Sequence, residues 1–424
     1  MNPKTLLLVT ALLCQLGLHR AARAQVQPGD SLQQFLRGND KFGLSLLAEN
    51  HARTPKKNAV VAPLSLTILL SAIEANSYRK ETRQQISQIF GWDRGVEPGI
   101  PAKMVLSAME PPKIAQTPPA APKPKEQPWE GESLWIANRM LYRTKKNEPP
   151  LLNKWFVQNA KELFGLELVD VGDRHPAAAD LQGSRSDTGR LPEVSPLDQV
   201  WLSSGTHLRQ TWEELFMESE PHPGEFKAES GQSQVVQQVD SVLEKLEYLK
   251  TDRFEAVVLP CGRVSMIAVL PRNGMKIQEL EGILASEPDA LNAMKPSLGS
   301  VTMPIFTIHA TMHLESAIKA MGVTDIFENL EGVARQDHRF GPKGSFDVAV
   351  AKVTDVAQAI DFTADKHGIH ADAETVIGAI PLGLLVGPDP FHLNLNRPFV
   401  FLVRENASGA LLFAGALMDP SEGN

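Results

Sequence analysis

The sequence of 424 residues predicts an α+β fold built around a large antiparallel or mixed β-sheet. Two observations lead to this class. Apolar residues recur at helical spacing in the first part of the chain, whereas the later part consists mostly of short apolar runs separated by turns. The last two runs, Pro398–Val403 and Ala410–Leu417, are continuously apolar, so the hairpin that they form is expected to be buried on both faces.

Residues 1–24 have the composition of a secretory signal peptide. Lys4 precedes an apolar run from Thr5 to Leu18, and small residues precede a cleavage point after Ala24. The alternative, an N-terminal membrane anchor, is disfavoured because the apolar run is too short to span a bilayer comfortably. We therefore expect a secreted protein, extracellular or periplasmic, whose mature chain covers residues 25–424.

The mature chain is mildly acidic. The formal charge is -8, and cleavage after Ala24 removes three cations and no acid, which takes it to about -11. Nucleic acid and membrane surfaces are therefore not expected as partners. Only Cys261 lies beyond the signal peptide, so no intramolecular disulfide is expected and stability must come from a large core.

The first elements after the signal peptide are mainly helical. Residues 31–50 carry an amphipathic pattern, and the apolar run Asn58–Pro63 predicts a short buried strand. A second helix follows with Ser65 as its predicted N-cap, and a third covers Glu81–Phe90 and ends at the next glycine. The Pro-, Lys- and Ala-rich stretch at about 110–128 predicts a surface insertion.

Strands dominate from residue 133 onward. Ser133–Arg143 predicts a strand, and Leu152–Phe164 predicts a helix whose inward face includes Trp155. Residues 254–270 predict a hairpin around a short turn. A later apolar run contains Pro304, which predicts a bulge or an edge position because proline cannot donate a backbone hydrogen bond.

The segment Gly368–Phe391 combines two opposite patterns. Its first half alternates small apolar side chains with polar ones, which is the period of a strand with one buried face. Its second half is rich in proline and glycine and predicts an exposed loop. An ordinary edge strand that leads into a loop would explain both halves, and so would a segment that changes from loop to strand.

Several short blocks occur in a characteristic order. The tail "LNLNRPFVFLV" is followed by "LLFAGALMDP", and upstream of it stand "NAVVAPLSL", "SLWIAN", "MPIF" and "AMGVTDIF". In sequence and order these blocks resemble those of the serpin family. The resemblance extends from about Leu32 to Pro420, nearly all of the mature chain.

The resemblance implies a serpin-like single domain over residues 25–424, with three β-sheets, eight or nine helices and an exposed reactive loop before the C-terminal signature. It also implies suicide inhibition of a serine protease. The protease cuts the loop and is trapped as an acyl-enzyme when the N-terminal part of the loop inserts into the central sheet as a new strand. The chain is then expected to be a monomer without a cofactor, and not an enzyme.

The resemblance assigns the hinge of the reactive loop to Gly368, Ile369, Ala371, Ala373 and Thr375. The last four would face the core of an inserted strand, where small side chains fit without overpacking. Ile369 replaces a threonine that the family usually has. Because a bulky residue at the first inserting position is harder to accommodate, we expect it to slow insertion.

Two further positions of the hinge depart from the family pattern. Asp372 and Glu374 replace alanines, and their charges would lie partly buried in the inserted form. These departures motivate the alternative function, a non-inhibitory serpin-fold protein that binds a ligand or a partner.

The resemblance also implies a sheet-opening region that contains Asn58, Pro63, Ser65 and Ser204. Ser204 stands where the family usually has an asparagine, and Ala357 where it usually has a histidine. These groups normally form hydrogen bonds beneath the point where the sheet parts, so the opening region is expected to have diverged.

The reactive bond is assigned by counting from the hinge. The count from Gly368 gives the bond between Leu382 and Gly383, with the bond between Leu384 and Leu385 as the next choice. A count back from the C-terminal signature gives a prolyl bond, which is a poor protease substrate. Because the loop contains no lysine or arginine, we expect an elastase-, chymotrypsin- or subtilisin-like target.

No enzyme signature stands out. A nucleophile elbow, a phosphate-binding glycine loop and a zinc motif are all missing, and the spacing of His367 and His370 is expected to be incidental, so no metal site is predicted. Cys261 is expected to be a structural thiol because no partner for a nucleophile can be argued. Asn406 begins a glycosylation sequon, which matters only in a eukaryotic secretory pathway.

Overall fold

The computed structural model describes residues 30–423 except 94–95, 111–132, 145–150, 173–199, 213–214, 217, 230, 335, 342–343, 350 and 371–388. The predicted signal peptide therefore lies outside the described residues, as does nearly all of the predicted insertion at 110–128.

Seven α-helices lie within the described residues, against the eight or nine that the resemblance implies. They are α1 (Asp30–His51), α2 (Pro63–Asn76), α3 (Lys80–Phe90), α4 (Gly99–Met109), α5 (Lys154–Phe164), α6 (Ile277–Ser286) and α7 (Glu315–Ala320). Short 3₁₀ turns occupy Pro288–Leu291, Asp325–Phe327 and Pro420–Gly423. In this part of the chain, no helix is both long enough and apolar enough to cross a membrane.

The helix ends follow from local chemistry. The side chain of Asn153 accepts a hydrogen bond from the backbone N–H of Trp155 and so caps α5. Gly91 ends α3, as predicted, in the left-handed conformation with a φ of 67°. The predicted N-cap role of Ser65 was wrong, because α2 already begins at Pro63, which has no N–H to leave unsatisfied at a helix start.

The inward face of α5 differs from the prediction at one position. Phe156, Ala160 and Phe164 are buried and lie four residues apart, so they share one face of the helix. Trp155 is turned away from that face by about 100° and is 71% exposed. The prediction that Trp155 points inward was therefore wrong.

The described strands form three sheets. The strands are β1 (Ala59–Val61), β2 (Ser133–Tyr142), β3 (Glu167–Asp170), β4 (Val200–Thr211), β5 (His222–Lys227), β6 (Ser233–Asp240), β7 (Glu244–Lys250), β8 (Phe254–Cys261), β9 (Val264–Pro271), β10 (Lys295–Pro304), β11 (Phe306–His313), β12 (Gln336–Gly341), β13 (Gly344–Ala349), β14 (Val353–Ala364), β15 (Gly368–His370), β16 (Phe391–Asn394), β17 (Phe399–Glu405) and β18 (Leu411–Leu417).

The largest sheet has ten strands and contains the C-terminal hairpin. Its order is β1-β18-β17-β9-β8-β7-β10-β6-β5, with β16 paired in parallel to β10. All seven residues of β18 are buried, which confirms that this hairpin is buried on both faces. Because parallel and antiparallel pairs occur together, the α+β class with a mixed sheet is also confirmed.

The second sheet has six strands in the order β11-β14-β15-β4-β2-β3, and β12 and β13 form a separate two-stranded hairpin. Pro304 marks the passage between the two larger sheets. It ends β10, and β11 begins two residues later in the other sheet. The apolar run around Pro304 is therefore two strands, because a proline cannot continue a ladder of backbone hydrogen bonds through its own position.

A buried carboxyl in α2 predicts how stability depends on pH. Burial raises the pKa of Glu74 from 4.5 to about 7, and the positive charge of Arg83 opposes this only in part. The folded protein thus binds a proton that the unfolded chain loses above pH 4.5, so stability falls as the pH rises from 4.5 to about 7.

We expect Glu74→Gln to raise the free energy of unfolding at pH 7.5 by about 3 kcal/mol, because the amide never has to lose a proton. The thermal midpoint, measured at pH 5 and pH 7.5, should also differ less between the two pH values than in the wild type. Glu81→Gln, at an exposed position of α3, is the control. Equal pH dependence in Glu74→Gln and the wild type would contradict the assignment.

Candidate functional site: a hinge between parted strands

Two strands of the six-stranded sheet are paired at one end and parted at the other. β4 and β14 pair in parallel between Val200–Ser204 and Val353–Gln358. Further along, β15 lies between them and runs antiparallel to both. The end of the sheet is therefore open by the width of one strand, and the first residues of the predicted hinge occupy the opening.

Ile369 is the central residue of β15. It lies opposite Ala364 of β14 and Gln210 of β4, and its side chain is buried in the core with 1% exposure. The expectation that Ile369 slows insertion assumed that it starts outside the sheet. Since it already lies inside, its entry is not one of the steps that remain.

Gly368 fits where a larger residue would not. A β-carbon at this position would lie 2.0 Å from the carbonyl oxygen of Gln210 and 2.9 Å from Cα of Thr211. Both are backbone atoms of β4, which cannot move aside as the end of a flexible side chain can. The close approach of two backbones therefore requires glycine here.

The turn that leads into β15 is held by hydrogen bonds. The carboxylate of Asp365 accepts bonds from the backbone N–H groups of His367 (2.7 Å) and Gly368 (3.2 Å). Trp212, just after β4, donates its indole N–H to the carbonyl of Asp365 at 2.7 Å and its backbone N–H to the carbonyl of His367 at 3.1 Å. The start of the hinge is thus fixed to the end of β4.

Gln210 connects the hinge to the turn between β8 and β9. Its side-chain oxygen accepts a bond from the backbone N–H of Arg263 at 2.6 Å, and its carbonyl accepts one from the thiol of Cys261 at 3.3 Å. Cys261 is fully buried. Its thiol is a hydrogen-bond donor beneath the hinge, which is a structural role.

A buried polar cluster lies where β4 and β14 come together. Gln358 accepts a bond from the backbone N–H of Ala62 at 2.9 Å and returns one to the carbonyl of Ala62 at 3.0 Å. Its amide also reaches the hydroxyl of Ser204 at 3.3 Å and that of Ser65 at 3.4 Å, and the two hydroxyls bond to each other. Asn138 of β2 donates to the carbonyl of Ser65 at 2.9 Å.

The cluster joins the start of α2 to both strands across the junction. Ser65, Ser204, Asn138 and Gln358 are all buried, so their hydrogen bonds cannot be replaced easily by bonds to water. Parting β4 from β14 at this level would break the bond between Gln358 and Ser204. The cluster is therefore placed to resist further opening of the sheet.

Gln358 occupies the position that the sequence analysis gave to Ala357. Along β14, Val356, Gln358, Ile360 and Phe362 are buried, whereas Ala357 lies on the other face. The sequence assignment was therefore displaced by one residue. The signal that could have identified Gln358 is its place, as the sole polar residue, in this alternating apolar series.

The cluster omits two of the residues that the sequence analysis grouped with it. Asn58 bonds instead to the C-terminal segment: its side-chain oxygen accepts the backbone N–H of Met418 at 2.7 Å and that of Asp419 at 2.9 Å. Pro63 begins α2 and lies against Gly43 of α1. Asn58 and Pro63 thus brace the neighbouring elements. Asn138 ends the block "SLWIAN" that carries part of the family resemblance, but the sequence analysis did not assign it to the opening region.

The segment that follows the predicted reactive loop contains β16. Among the strands that the structure describes, β16 pairs with β10 alone. Its first residue, Phe391, stacks on Tyr248 with ring centroids 4.0 Å apart and planes within 2°. Gly299 leaves room for that ring, because a β-carbon there would lie 2.2 Å from a ring atom of Phe391.

The remaining site predictions fall outside the described residues. They concern the hinge positions Ala371, Ala373 and Thr375 and the candidate bonds at Leu382, Gly383, Leu384 and Leu385. Within the parts of the chain that are described, no group of three or more histidine, cysteine or acidic side chains could hold a metal ion.

The sequon at Asn406 lies in the turn between β17 and β18, where its amide is engaged. The side-chain nitrogen of Asn406 donates to the carbonyls of Gly262 (3.0 Å) and Val264 (3.2 Å). Its side-chain oxygen accepts a bond from the hydroxyl of Ser265 at 2.8 Å. Asn406 therefore ties this turn to the turn between β8 and β9.

Comparisons with known proteins agree with this architecture. The chain is 23% identical to human Serpin I2 over 403 residues, which is 90% of this chain and 91% of that protein. The fold is similar to the crystal structure of Serpin48 from the insect Tenebrio molitor, with a TM-score of 0.71, 20% identity, and coverage of 91% of this chain and 98% of that one. It is also similar to human thyroxine-binding globulin complexed with its hormone, with a TM-score of 0.71, 18% identity, and coverage of 92% and 100%.

The family model described as serpin, serine protease inhibitor, matches residues 37–420. Members of this family are commonly inhibitors of proteases rather than catalysts, although some do not inhibit. With nearly the whole described chain matched, the protein belongs to the serpin family.

Proposed function

We propose that this protein is a secreted inhibitor of serine proteases that acts as a suicide substrate. Residues 1–24 would direct its export, and the mature chain would act as a monomer. One observation carries the proposal: Ile369 and His370 already lie in the opening between β4 and β14, in register with both strands. The hinge is therefore the start of a strand that can lengthen without changing its neighbours.

The reaction would begin at the bond between Leu382 and Gly383. The serine hydroxyl of the protease attacks the carbonyl carbon of Leu382, an ester forms, and the amino group of Gly383 leaves with a proton. The freed segment then continues β15 into the sheet. Each new ladder hydrogen bond is worth roughly 0.5–1.5 kcal/mol net, so about a dozen of them would make insertion effectively irreversible.

The observed register predicts the neighbours of each inserted residue. Continuing the pair of Gly368 and Thr211 by seven residues brings Thr375 opposite Ser204. The same register on β14 brings Thr375 opposite Gln358. The inserted threonine would therefore separate the amide of Gln358 from the hydroxyl of Ser204. Its own hydroxyl would be available to replace the hydrogen bond that these two groups now share.

The composition of the loop supports a target with an aliphatic or aromatic preference. Leu382 and, as the next choice, Leu384 are the side chains that the protease would bind. Because lysine and arginine are missing from this loop, a trypsin-like target does not fit. An elastase-, chymotrypsin- or subtilisin-like protease is the proposed partner.

Two measurements test the proposal. Incubation with elastase-, chymotrypsin- and subtilisin-like proteases should give a covalent complex that survives denaturing gel electrophoresis. Cleavage of the loop by a protease that is not trapped should raise the thermal midpoint sharply, because the new strand completes the sheet. Absence of a complex across this panel, together with an unchanged midpoint, would reject inhibition by insertion.

The outward face of the inserted strand predicts a further effect. In the observed register Asp372 would lie between His207 of β4 and Asp361 of β14, and like charges in a directly opposite pair such as Asp372 and Asp361 destabilise a sheet. We expect Asp372→Ala to increase the stability gained on loop cleavage by roughly 0.2–1 kcal/mol. The matched control is Glu374→Ala, because Glu374 would face Ala359 and Gly205, which carry no charge. Equal gains in the two variants would argue against this register.

A second candidate is a non-inhibitory protein that binds a ligand or a partner. Two observations favour it: the charged positions of the hinge and the atypical residues of the buried cluster at Gln358 and Ser204. The similar fold of a globulin that binds thyroxine shows that this architecture is compatible with ligand binding. Cleavage of the loop without a rise in the thermal midpoint would favour this candidate.

A further inference from the structure

A pair of ionisable side chains is sealed in the core where α1 meets α6. His51 is the last residue of α1, and Glu281 lies in the middle of α6. Nδ1 of His51 is 2.7 Å from Oε1 of Glu281, and the two residues are 0% and 2% exposed. This pair is therefore separated from water on all sides.

The rest of the structure gives this pair little compensation. Nε2 of His51 and Oε2 of Glu281 are also buried and have no hydrogen-bond partner among the described residues. Apart from His51, the other described group whose charge acts on Glu281 is Glu229, and its negative charge opposes ionisation. A net charge on the pair would thus be stabilised neither by a cation nor by water.

The number of protons on the pair decides its net charge. With one titratable proton the pair is neutral overall, either as a histidinium with a carboxylate or as a neutral imidazole with a carboxylic acid. Removal of that proton leaves one negative charge in the core, which costs several kcal/mol in proteins when unpaired. In agreement, burial raises the pKa of Glu281, and the hydrogen bond from His51 opposes this only in part.

We propose that the His51–Glu281 pair is a proton-dependent latch that holds α1 against α6 while it carries one proton and weakens this contact when the proton is lost in alkaline solution. The two helices meet at this point, and α1 also packs on β18 of the ten-stranded sheet. Loss of the proton would therefore loosen the support of the C-terminal hairpin. The latch does not depend on protease inhibition.

The sign of the pH effect follows from the proton count. In an unfolded chain a glutamate loses its proton near pH 4.3 and a histidine near pH 6.5, so neither holds the titratable proton above about pH 7. The folded pair keeps it. Folding then takes up one proton, and the equilibrium constant for unfolding should rise roughly tenfold per pH unit above about pH 7.

The test compares urea unfolding at pH 7.0, 7.5, 8.0 and 8.5 in three proteins. The equilibrium constant for unfolding of the wild type should rise roughly tenfold per pH unit. In the double variant His51→Gln, Glu281→Gln the same constant should rise by a factor that is at least several-fold smaller. The matched control is His309→Gln, Asp361→Asn, which removes a histidine–aspartate pair joined through Nδ1 at 2.8 Å on the surface of β11 and β14. This control should keep the wild-type slope.

Two outcomes would overturn the proposal. A double variant that folds and keeps the full wild-type slope would show that the proton is bound elsewhere. The second outcome needs no variant: a wild-type unfolding constant that stays flat between pH 7 and 8.5 would exclude uptake of a proton by the folded pair. The second result decides the question even if the double variant does not fold.

Discussion

Replacement of Gly368 by alanine is expected to release the hinge from the sheet. The new β-carbon would lie 2.0 Å from the carbonyl oxygen of Gln210, so β15 cannot keep its place without a shift of β4. Overpacking of this kind typically costs about 1–3 kcal/mol. The thermal midpoint of the intact protein should fall.

The same variant should behave differently toward a protease. If inhibition requires insertion through this point, Gly368→Ala should be cut as an ordinary substrate, and the yield of covalent complex should fall several-fold. Gly282→Ala is the control, because Gly282 lies in α6 with open space around the position of a β-carbon. An unchanged thermal midpoint and an unchanged yield of covalent complex in Gly368→Ala would show that inhibition does not require β15 to lie between β4 and β14.

Loss of the Gln358 side chain is expected to have the second large effect. Gln358→Ala would leave the backbone N–H of Ala62 buried without its partner, at a cost of about 1–3 kcal/mol, and would add a cavity beneath the junction of β4 and β14. We expect the free energy of unfolding to fall by about 3 kcal/mol or more. The barrier to parting the strands should fall as well, because the bond to Ser204 is lost.

Two measurements separate these effects. Chemical denaturation gives the loss of stability, and the rate at which the thermal midpoint rises after loop cleavage reports on parting of the strands. Gln278→Ala is the matched control: this glutamine is only half-buried and its amide donates a bond of 3.0 Å to the carbonyl of Pro55, so its loss should change stability by less than about 0.5 kcal/mol. A slower rise after cleavage in Gln358→Ala would contradict the proposed restraint.

Much of the fold could be predicted because its signals are local. The helix that ends at Gly91 and the continuously apolar C-terminal hairpin each follow from a few neighbouring residues. The errors arose where long-range packing decides. Trp155 was placed on the inward face together with Phe156, although the buried face of α5 is set by residues four apart. Pro304 was placed within one strand because the sequence does not show that the chain changes sheets there.

The site could be predicted only in outline. Gly368 and Ser204 were found through the family resemblance, which depends on order along the chain. Gln358 was missed by one residue because a family histidine has been replaced, and only the alternating burial of β14 restores the register. Asn58 was assigned to the opening region through the family resemblance alone, which does not reveal that its side chain binds the C-terminal segment.

The two strands that flank the proposed reactive loop, β15 and β16, are attached with unequal mechanical strength. β15 has partners on both sides and is locked by the turn at Asp365, so tension along the loop would load bonds to two strands at once. Within the described part of the chain, β16 has a partner on one side only and can be peeled from β10 one hydrogen bond at a time, with the stack of Phe391 on Tyr248 as the first element under load. A pulling force on the intact loop should therefore detach its downstream end first.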